Sequence, residues 1–211
     1  MDQKKELEKL ASYVRLTWDR KLTESTGGNM SVRIDDRIYI TPTMFVKHYF
    51  TTEDMVVVDM EGNKLSGKLN PSSEIRMHLK LYQTRPDIKS VFHAHPRYGL
   101  ICVINQIKVN PRVLPEMILM LHDIAYLPYH LPGTDEFAEA FVKDAQKGTN
   151  VFMLDNHGVT TCGDSIESAF YRLETLETCA YIMVMQEMLG KKPNLISEAE
   201  TQRFKKLVGI E

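Results

Sequence analysis

The sequence predicts one α/β domain in which strands and helices alternate along the chain. Its 211 residues, 43% of them apolar and 26% charged, are enough to build a single large core. The 11 Gly and 9 Pro residues are too few for a collagen-like or low-complexity chain. No internal repeat or Pro-rich linker interrupts the sequence, so we expect residues 1–211 to form a single domain.

The N-terminal part of the chain predicts a helix and two β-hairpins. Apolar residues recur with a period of about 3.6 over residues 6–22, which is typical of an amphipathic helix. A glycine-containing loop at 25–29 leads into two alternating segments, 30–34 and 37–40, which an Asp-Asp turn joins. The β-branched run at 55–59, followed by a Glu-Gly-Asn turn, predicts a second, smaller hairpin.

The rest of the chain continues the alternation of helices and strands. The segment 70–73 offers Pro and two possible N-cap hydroxyls before a helix at 74–83, which should stop at Arg85 and Pro86. The following patterns predict a strand, a short helix, a strand and a long helix, at residues 89–95, 98–103, 151–154 and 167–189 respectively. The charged, helix-prone stretch 198–206 favours a tail that is solvated or contacts a neighbour.

Charge and cysteine content narrow the possible partners. The 26 basic and 28 acidic side chains leave no basic excess for nucleic acids or anionic membranes. The three cysteines are far apart and fit neither a disulfide framework nor a thiolate zinc site. The charged N-terminus lacks a signal-peptide core, and no apolar run approaches the roughly 18 to 20 residues that span a bilayer. We therefore expect a cytoplasmic protein.

Three histidines could bind a metal ion. His93 and His95 are separated by one residue on a predicted strand, so their rings should share a face, with Cα atoms roughly 7 Å apart. By itself this pair fits a metal site and an incidental pair of histidines equally well. His157 follows a buried strand and precedes Gly158, where a turn can aim its ring over the sheet edge. Three imidazole nitrogens suit zinc.

Glu74 is the candidate for a fourth ligand, the alternative being an ordinary first-turn glutamate. It would begin a helix, whose N-terminus stabilises a carboxylate by roughly 0.3 to 1 kcal/mol. His78 lies one turn later and could form a ligand pair with Glu74, but we favour a packed, hydrogen-bonded His78. A carboxylate can be displaced by substrate, so three His and one Glu would form a catalytic rather than a structural site.

Three polar turns, at residues 26–29, 41–43 and 72–73, could bind an anion through their backbone N–H groups. Taken singly, a Ser-Ser pair is usually a helix cap and a Gly-Gly-Asn segment is usually a turn. The chain contains neither G-x-x-x-x-G-K-[ST] nor G-x-G-x-x-G after a strand. Nucleotide chemistry is therefore disfavoured.

Read in order, six motifs resemble those of the class II aldolase/adducin family. They are Thr26-Gly27-Gly28-Asn29-Met30-Ser31, Ile40-Thr41-Pro42-Thr43, Pro71-Ser72-Ser73-Glu74, His93-Ala94-His95-Pro96, Pro132-Gly133-Thr134 and Asn156-His157-Gly158. The resemblance covers about residues 7–189. It implies a three-layer α/β/α domain with a central, largely antiparallel sheet, and a homotetramer with its sites at subunit interfaces.

The resemblance also implies a reaction and a set of site residues. The implied Zn²⁺ ligands are Glu74, His93, His95 and His157, and Glu74 would also be the catalytic proton acceptor and donor. The residues implied to hold a substrate phosphate are Gly28, Asn29, Thr43, Met44, Ser72 and Ser73. The expected reaction is cleavage of a ketose 1-phosphate, similar to fuculose 1-phosphate, to dihydroxyacetone phosphate and an aldehyde.

The sequence departs from the family pattern at two informative positions. The family usually has Gly where this chain has Met44, so the Met44 amide can bind phosphate only if Met44 adopts the required turn. Aldolases of the family use a tyrosine near Glu116, which is here the candidate second acid or base. Related 4-epimerases have Asp in place of Glu74 and an acidic residue near Glu116. An epimerase, a dehydratase and a non-catalytic interaction domain like the adducin head remain alternatives.

Overall fold

A computed structural model describes residues 3–210, and in it an eight-stranded sheet is covered by helices on both faces. The strands are β1 Asn29–Ile34, β2 Arg37–Ile40, β3 Val56–Val58, β4 Lys64–Ser66, β5 Ser90–Ala94, β6 Ile124–Leu127, β7 Val151–Leu154 and β8 Gly158–Gly163. The α-helices are α1 Gln3–Asp19, α2 Ile75–Thr84, α3 Arg97–Asn105, α4 Pro115–Leu121, α5 Asp135–Glu139, α6 Val142–Ala145, α7 Ile166–Leu189 and α8 Glu198–Val208.

The sheet has the order β4-β3-β2-β1-β5-β8-β7-β6. Every neighbouring pair is antiparallel except β6 and β7, which are parallel. The prediction of a largely antiparallel sheet is therefore confirmed. Strand β5 lies near the middle, between β1 and β8, so its backbone is hydrogen-bonded on both sides.

Two separate hydrophobic cores lie on the two faces of the sheet. In β7, Val151 and Met153 belong to one core and Phe152 and Leu154 to the other, as the alternation of a strand buried on both faces requires. Helices α1, α3, α4 and α7 contribute to the first core, and α2, α5 and α6 to the second. This arrangement is the expected three-layer α/β/α architecture.

Three local predictions differ from the structure. The first helix ends at Asp19 rather than residue 22, because Lys21 adopts a left-handed conformation and the chain turns. His95 lies just after β5 rather than on it, since Pro96 cannot donate a ladder hydrogen bond and restricts the residue before it. Neither serine caps α2, whose N-cap residue is Glu74; the Oγ of Ser72 instead accepts the Glu74 N–H, at 3.3 Å.

The three cysteines, Cys102, Cys162 and Cys179, are buried and unpaired. Within residues 3–210, none of the helices combines the length and the apolar character needed to cross a membrane.

Candidate metal centre and phosphate pocket

Strand register places three polar residues side by side at the centre of the sheet. Asn29 of β1 pairs with His93 of β5, and His93 pairs in turn with Thr160 of β8. Directly paired residues point to the same face of a sheet, so the three side chains form a row. Val91, two residues before His93, belongs to the core that α2 covers, so this row faces α2.

Glu74 meets this row from the N-terminus of α2, and the predicted ligands converge there. Its Oε2 lies 3.3 Å from Nε2 of His93, and its Oε1 lies 3.1 Å from Nε2 of His157. Nε2 of His95 is 3.2 Å from Nε2 of His93. One ring nitrogen from each histidine lies within 4.8 Å of the others. The structure thus brings together all four predicted ligands, although His95 comes from the end of β5.

Burial and charge set the ionisation of these groups. Burial by itself would raise the pKa of Glu74, but the His93 ring, the close imidazole of His157 and a hydrogen bond from Asn29 lower it well below its usual range. Burial lowers the pKa of His93 to about 3. At neutral pH the site therefore presents an anionic carboxylate and a neutral imidazole, which are the forms that bind metal ions.

The donor set fits a zinc ion. Three imidazole nitrogens and one carboxylate are ligands that Zn²⁺ accepts in catalytic sites. Oε1 of Glu74 is buried and makes no hydrogen bond to the described residues, although Nε2 of His157 lies 3.1 Å away; a bound cation would supply the missing partner. The second ring nitrogen of His93 contacts Oγ1 of Thr160 at 3.2 Å, and that of His95 contacts Glu24 at 2.7 Å. Such outer contacts orient metal-binding histidines.

A buried chain of hydrogen bonds leads from Glu74 into the core beneath α2. Asn29 donates from Nδ2 to Oε2 of Glu74 at 2.7 Å, so its Oδ1 must accept from Nε2 of His78, at 2.5 Å. Nδ1 of His78 then accepts from Ser31, at 2.7 Å, and Ser31 accepts from the hydroxyl of Tyr82, at 2.6 Å. Burial lowers the pKa of His78 to about 4, which keeps it neutral. The prediction of a packed His78 is confirmed.

The predicted phosphate residues line a single small cavity of about 160 Å³ beside Glu74, His95 and His157. They are Gly28, Asn29, Thr43, Met44, Ser72 and Ser73. Gly28 has a φ of +66°, and a Cβ there would lie 2.6 Å from the carbonyl oxygen of His93, so only glycine fits. Met44 has a φ of +53° and thus adopts the glycine-like turn that the family pattern requires.

A fully buried lysine, which sequence reasoning missed, joins two of the loops around this cavity. Nζ of Lys47 donates to the carbonyl oxygens of Thr26 and Phe45, each at 3.0 Å. Its backbone N–H donates to the carbonyl of Ser25, at 2.9 Å. Burial lowers the pKa of Lys47 to about 8, although the charge of Glu24 acts in the opposite direction. A lysine between Val46 and His48 gave no signal of burial in the sequence.

Comparison with known proteins identifies the family. Residues 8–184 match the family model described as Class II Aldolase and Adducin N-terminal domain. The chain belongs to the class II aldolase and adducin family. An L-fuculose phosphate aldolase of Methanococcus maripaludis strain C5 is 35% identical over 188 residues, which are 86% of this chain and 99% of that protein.

Relatives in the class II aldolase and adducin family do not all have the same named activity. A 3-oxo-tetronate 4-phosphate decarboxylase of Haemophilus influenzae is 32% identical over 193 residues, covering 89% of this chain and 90% of that protein. A solved structure of an L-fuculose 1-phosphate aldolase superposes with a TM-score of 0.88 at 29% identity, over 99% of this chain and 98% of that one. The family and the fold are thus established together.

One predicted residue lies apart from the others in this class II aldolase domain. Glu116 is exposed in the first turn of α4 and does not line the cavity of about 160 Å³. Its assignment as a second acid or base stays a prediction. A larger cavity of about 540 Å³ borders His95 on its other side, and its lining includes Trp18, Glu24 and Arg97.

Proposed function

We propose that this class II aldolase family member is a zinc-dependent lyase that cleaves a ketose 1-phosphate. The products would be dihydroxyacetone phosphate and an aldehyde. The observation that carries the proposal is the convergence of Glu74, His93, His95 and His157 beside the small polar cavity. The relatives that are named as fuculose phosphate aldolases support a substrate similar to fuculose 1-phosphate.

The four ligands would hold the ion beside the reacting carbons. Zinc, when bound, supplies Lewis-acid chemistry, polarising the substrate carbonyl and stabilising the negative charge that grows as the C3–C4 bond breaks. Glu74 borders the small cavity and presents an ionised carboxylate. In synthesis this carboxylate would take a proton from the substrate carbon beside the carbonyl. In cleavage it would return to that carbon the proton that the C4 hydroxyl loses as the aldehyde forms, a contribution of typically 10² to 10⁴ in rate.

The small cavity would hold the phosphate and set the register of the substrate. Its wall combines the hydroxyls of Thr43, Ser72 and Ser73 with the turns at Gly28 and Met44. Turns of this kind direct backbone N–H groups toward an anion without a basic side chain. A phosphate fixed here would bring the adjoining carbonyl toward the histidines, because Glu74, His95 and His157 border the same cavity.

Decarboxylation of a sugar-acid phosphate is the second candidate function. The Haemophilus influenzae relative named as a 3-oxo-tetronate 4-phosphate decarboxylase favours it. That reaction also breaks a C–C bond next to a polarised carbonyl, so the same ligands would serve it. An epimerase or dehydratase would use the same first step. A non-catalytic domain like the adducin head would not require the four converging ligands.

A product assay with metal removal tests the proposal. Purified protein is incubated with a panel of ketose 1-phosphates, free ketoses and 3-oxo acid phosphates, with and without a chelator. We expect dihydroxyacetone phosphate from a ketose 1-phosphate, loss of activity in chelator and recovery on adding Zn²⁺. Release of CO₂ instead would support the decarboxylase, and turnover unaffected by a chelator would contradict the metal mechanism.

The quaternary structure and compartment are also proposals. We propose a homotetramer in the cytoplasm, acting on a small sugar phosphate without nucleic-acid or membrane partners. The family resemblance supports the assembly, and the three unpaired buried cysteines are compatible with a reducing compartment. Light scattering during gel filtration would test the assembly, and a monomeric mass at micromolar concentration would contradict it.

A further inference from the structure

Glu24 contacts one of the two ring nitrogens of His95. Its Oε1 lies 2.7 Å from Nδ1 of His95. An ionised carboxylate can only accept a hydrogen bond, so Nδ1 must carry the proton. Nε2, on the opposite side of the ring, is then the nitrogen turned toward the other histidines, 3.2 Å from Nε2 of His93. The Glu24 contact therefore turns the metal-binding nitrogen of His95 toward its neighbours.

His95 needs such a partner more than His93 does. His93 is buried within β5, while His95 follows the strand and its side chain is 20% exposed. One side of its ring faces the larger cavity, which Glu24 also lines. Packing therefore restrains the His95 ring less than the His93 ring, and the 2.7 Å contact is what fixes its orientation.

Gly27 provides the space that the Glu24 carboxylate occupies. A Cβ added at Gly27 would lie 1.9 Å from Oε1 of Glu24. The atom in conflict is the end of a flexible side chain, so alanine at this position would displace the carboxylate rather than the backbone. Gly27 does not have a positive φ, so its backbone conformation is open to alanine.

We propose that Glu24 is a positioning residue for the metal centre, which selects the His95 tautomer and holds its ring for a divalent cation, with Gly27 leaving room for the carboxylate. The inference rests on the metal centre of the proposed function but not on the substrate. Glu24 is not a ligand in this arrangement, because its contact is to the ring nitrogen that faces away from the other ligands. Its side chain is 59% exposed, so its removal should leave the fold intact.

The affinity for Zn²⁺ alone, measured by competition with a chromophoric chelator, tests this role. We expect Glu24→Ala to bind Zn²⁺ about 10- to 100-fold more weakly, the effect typical of losing an outer partner of a metal-binding histidine. Glu24→Gln keeps an oxygen that can accept from Nδ1 and should recover most of the affinity. Glu61→Ala, which removes an exposed glutamate from a distant turn, is the matched control and should bind as the wild type does.

Gly27→Ala provides an independent perturbation of the same contact. It retains Glu24 but displaces its carboxylate, so it should weaken Zn²⁺ binding to a similar extent. The double variant Gly27→Ala/Glu24→Ala should then bind no more weakly than Glu24→Ala, because both changes break one interaction. ¹⁵N shifts of the His95 ring in metal-free protein should show the proton on Nδ1 in the wild type and a tautomer mixture in Glu24→Ala.

The outcomes separate this inference from the proposed function. Wild-type affinity in Glu24→Ala, or fully additive losses in the double variant, would overturn the role of Glu24 while leaving the metal centre in place. A wild-type protein that fails to bind Zn²⁺ would overturn both. Weaker Zn²⁺ binding in Glu24→Ala and in Gly27→Ala, with recovery in Glu24→Gln, would support the positioning role.

Discussion

Replacing Lys47 with Met should change how the stability of the protein depends on pH. Lys47 is fully buried, and burial lowers its pKa from 10.5 to about 8. Below about pH 8 the native and unfolded states both hold the proton, so the cost of burying the charge is present in full. Between about pH 8 and 10.5 the native state loses the proton and the unfolded state retains it, so the free energy of unfolding rises with pH.

The size of this effect follows from the two pKa values. For a pKa of about 8 in the native state and 10.5 in the unfolded state, the free energy of unfolding rises by about 2 kcal/mol between about pH 7 and pH 9.5. Lys47→Met lacks the titrating group and should show no such rise. At neutral pH the variant loses two hydrogen bonds, worth about 1 to 3 kcal/mol each, but is relieved of a burial cost of about 3 kcal/mol. The wild type and Lys47→Met should therefore have similar free energies of unfolding at neutral pH.

Urea denaturation of both proteins at the two pH values measures the difference directly. Other titrating groups are common to both chains and cancel in the comparison. The nearby charge of Glu24, which raises the pKa of Lys47, is also common to both. Equal pH dependence in wild type and variant would refute the conclusion that Lys47 is buried as a titrating amine beneath the two loops.

Three further predictions follow from the site and the core. Glu74→Gln should retain zinc at least in part but lose about 10² to 10⁴ in turnover, and near-normal cleavage would remove Glu74 from the mechanism. Met44→Gly should raise the free energy of unfolding by up to about 1 kcal/mol, because Met44 has a φ of +53° and its side chain is exposed; a lower melting temperature would contradict this. Burial raises the pKa of each of the three cysteines to about 12; they are Cys102, Cys162 and Cys179. Native protein should therefore resist iodoacetamide at about pH 8 and react with it after unfolding, and rapid labelling of native protein would contradict this prediction.

The fold could be predicted where elements are long or have distinctive turns. The hairpin of β1 and β2 and the 24-residue helix α7 were predicted within a few residues, because their periodicity extends over enough positions. Strands β6 and β8 were missed. β6 has only four residues, and β8 is flanked by glycines and rich in threonine, so neither shows an alternation that distinguishes a strand from a loop. Their place in the sheet depends on long-range pairing.

The candidate site could likewise be predicted where it depends on neighbouring residues in the sequence, but not where it depends on contacts between distant ones. The convergence of Glu74, His93 and His157 could be predicted because each occurs in a short segment whose turn or strand aims the side chain. The contact between Glu24 and His95 joins residues 71 positions apart, and nothing near Glu24 in the sequence indicates it. Lys47 was missed for the same reason, since its burial depends on two loops that close over it.

The hydrogen bonds beneath Glu74 all have the same polarity. From the hydroxyl of Tyr82, through Ser31, His78 and Asn29, each group donates toward the carboxylate. Their bond dipoles therefore add along one direction, and neighbouring bonds in such a row polarise one another. On the core side, the negative charge of Glu74 is therefore stabilised by an oriented row of neutral dipoles and not by a buried cationic side chain. A single reversed member, such as an Asn29 amide turned around, would set two acceptors against each other at Glu74 and break the alignment of the whole row.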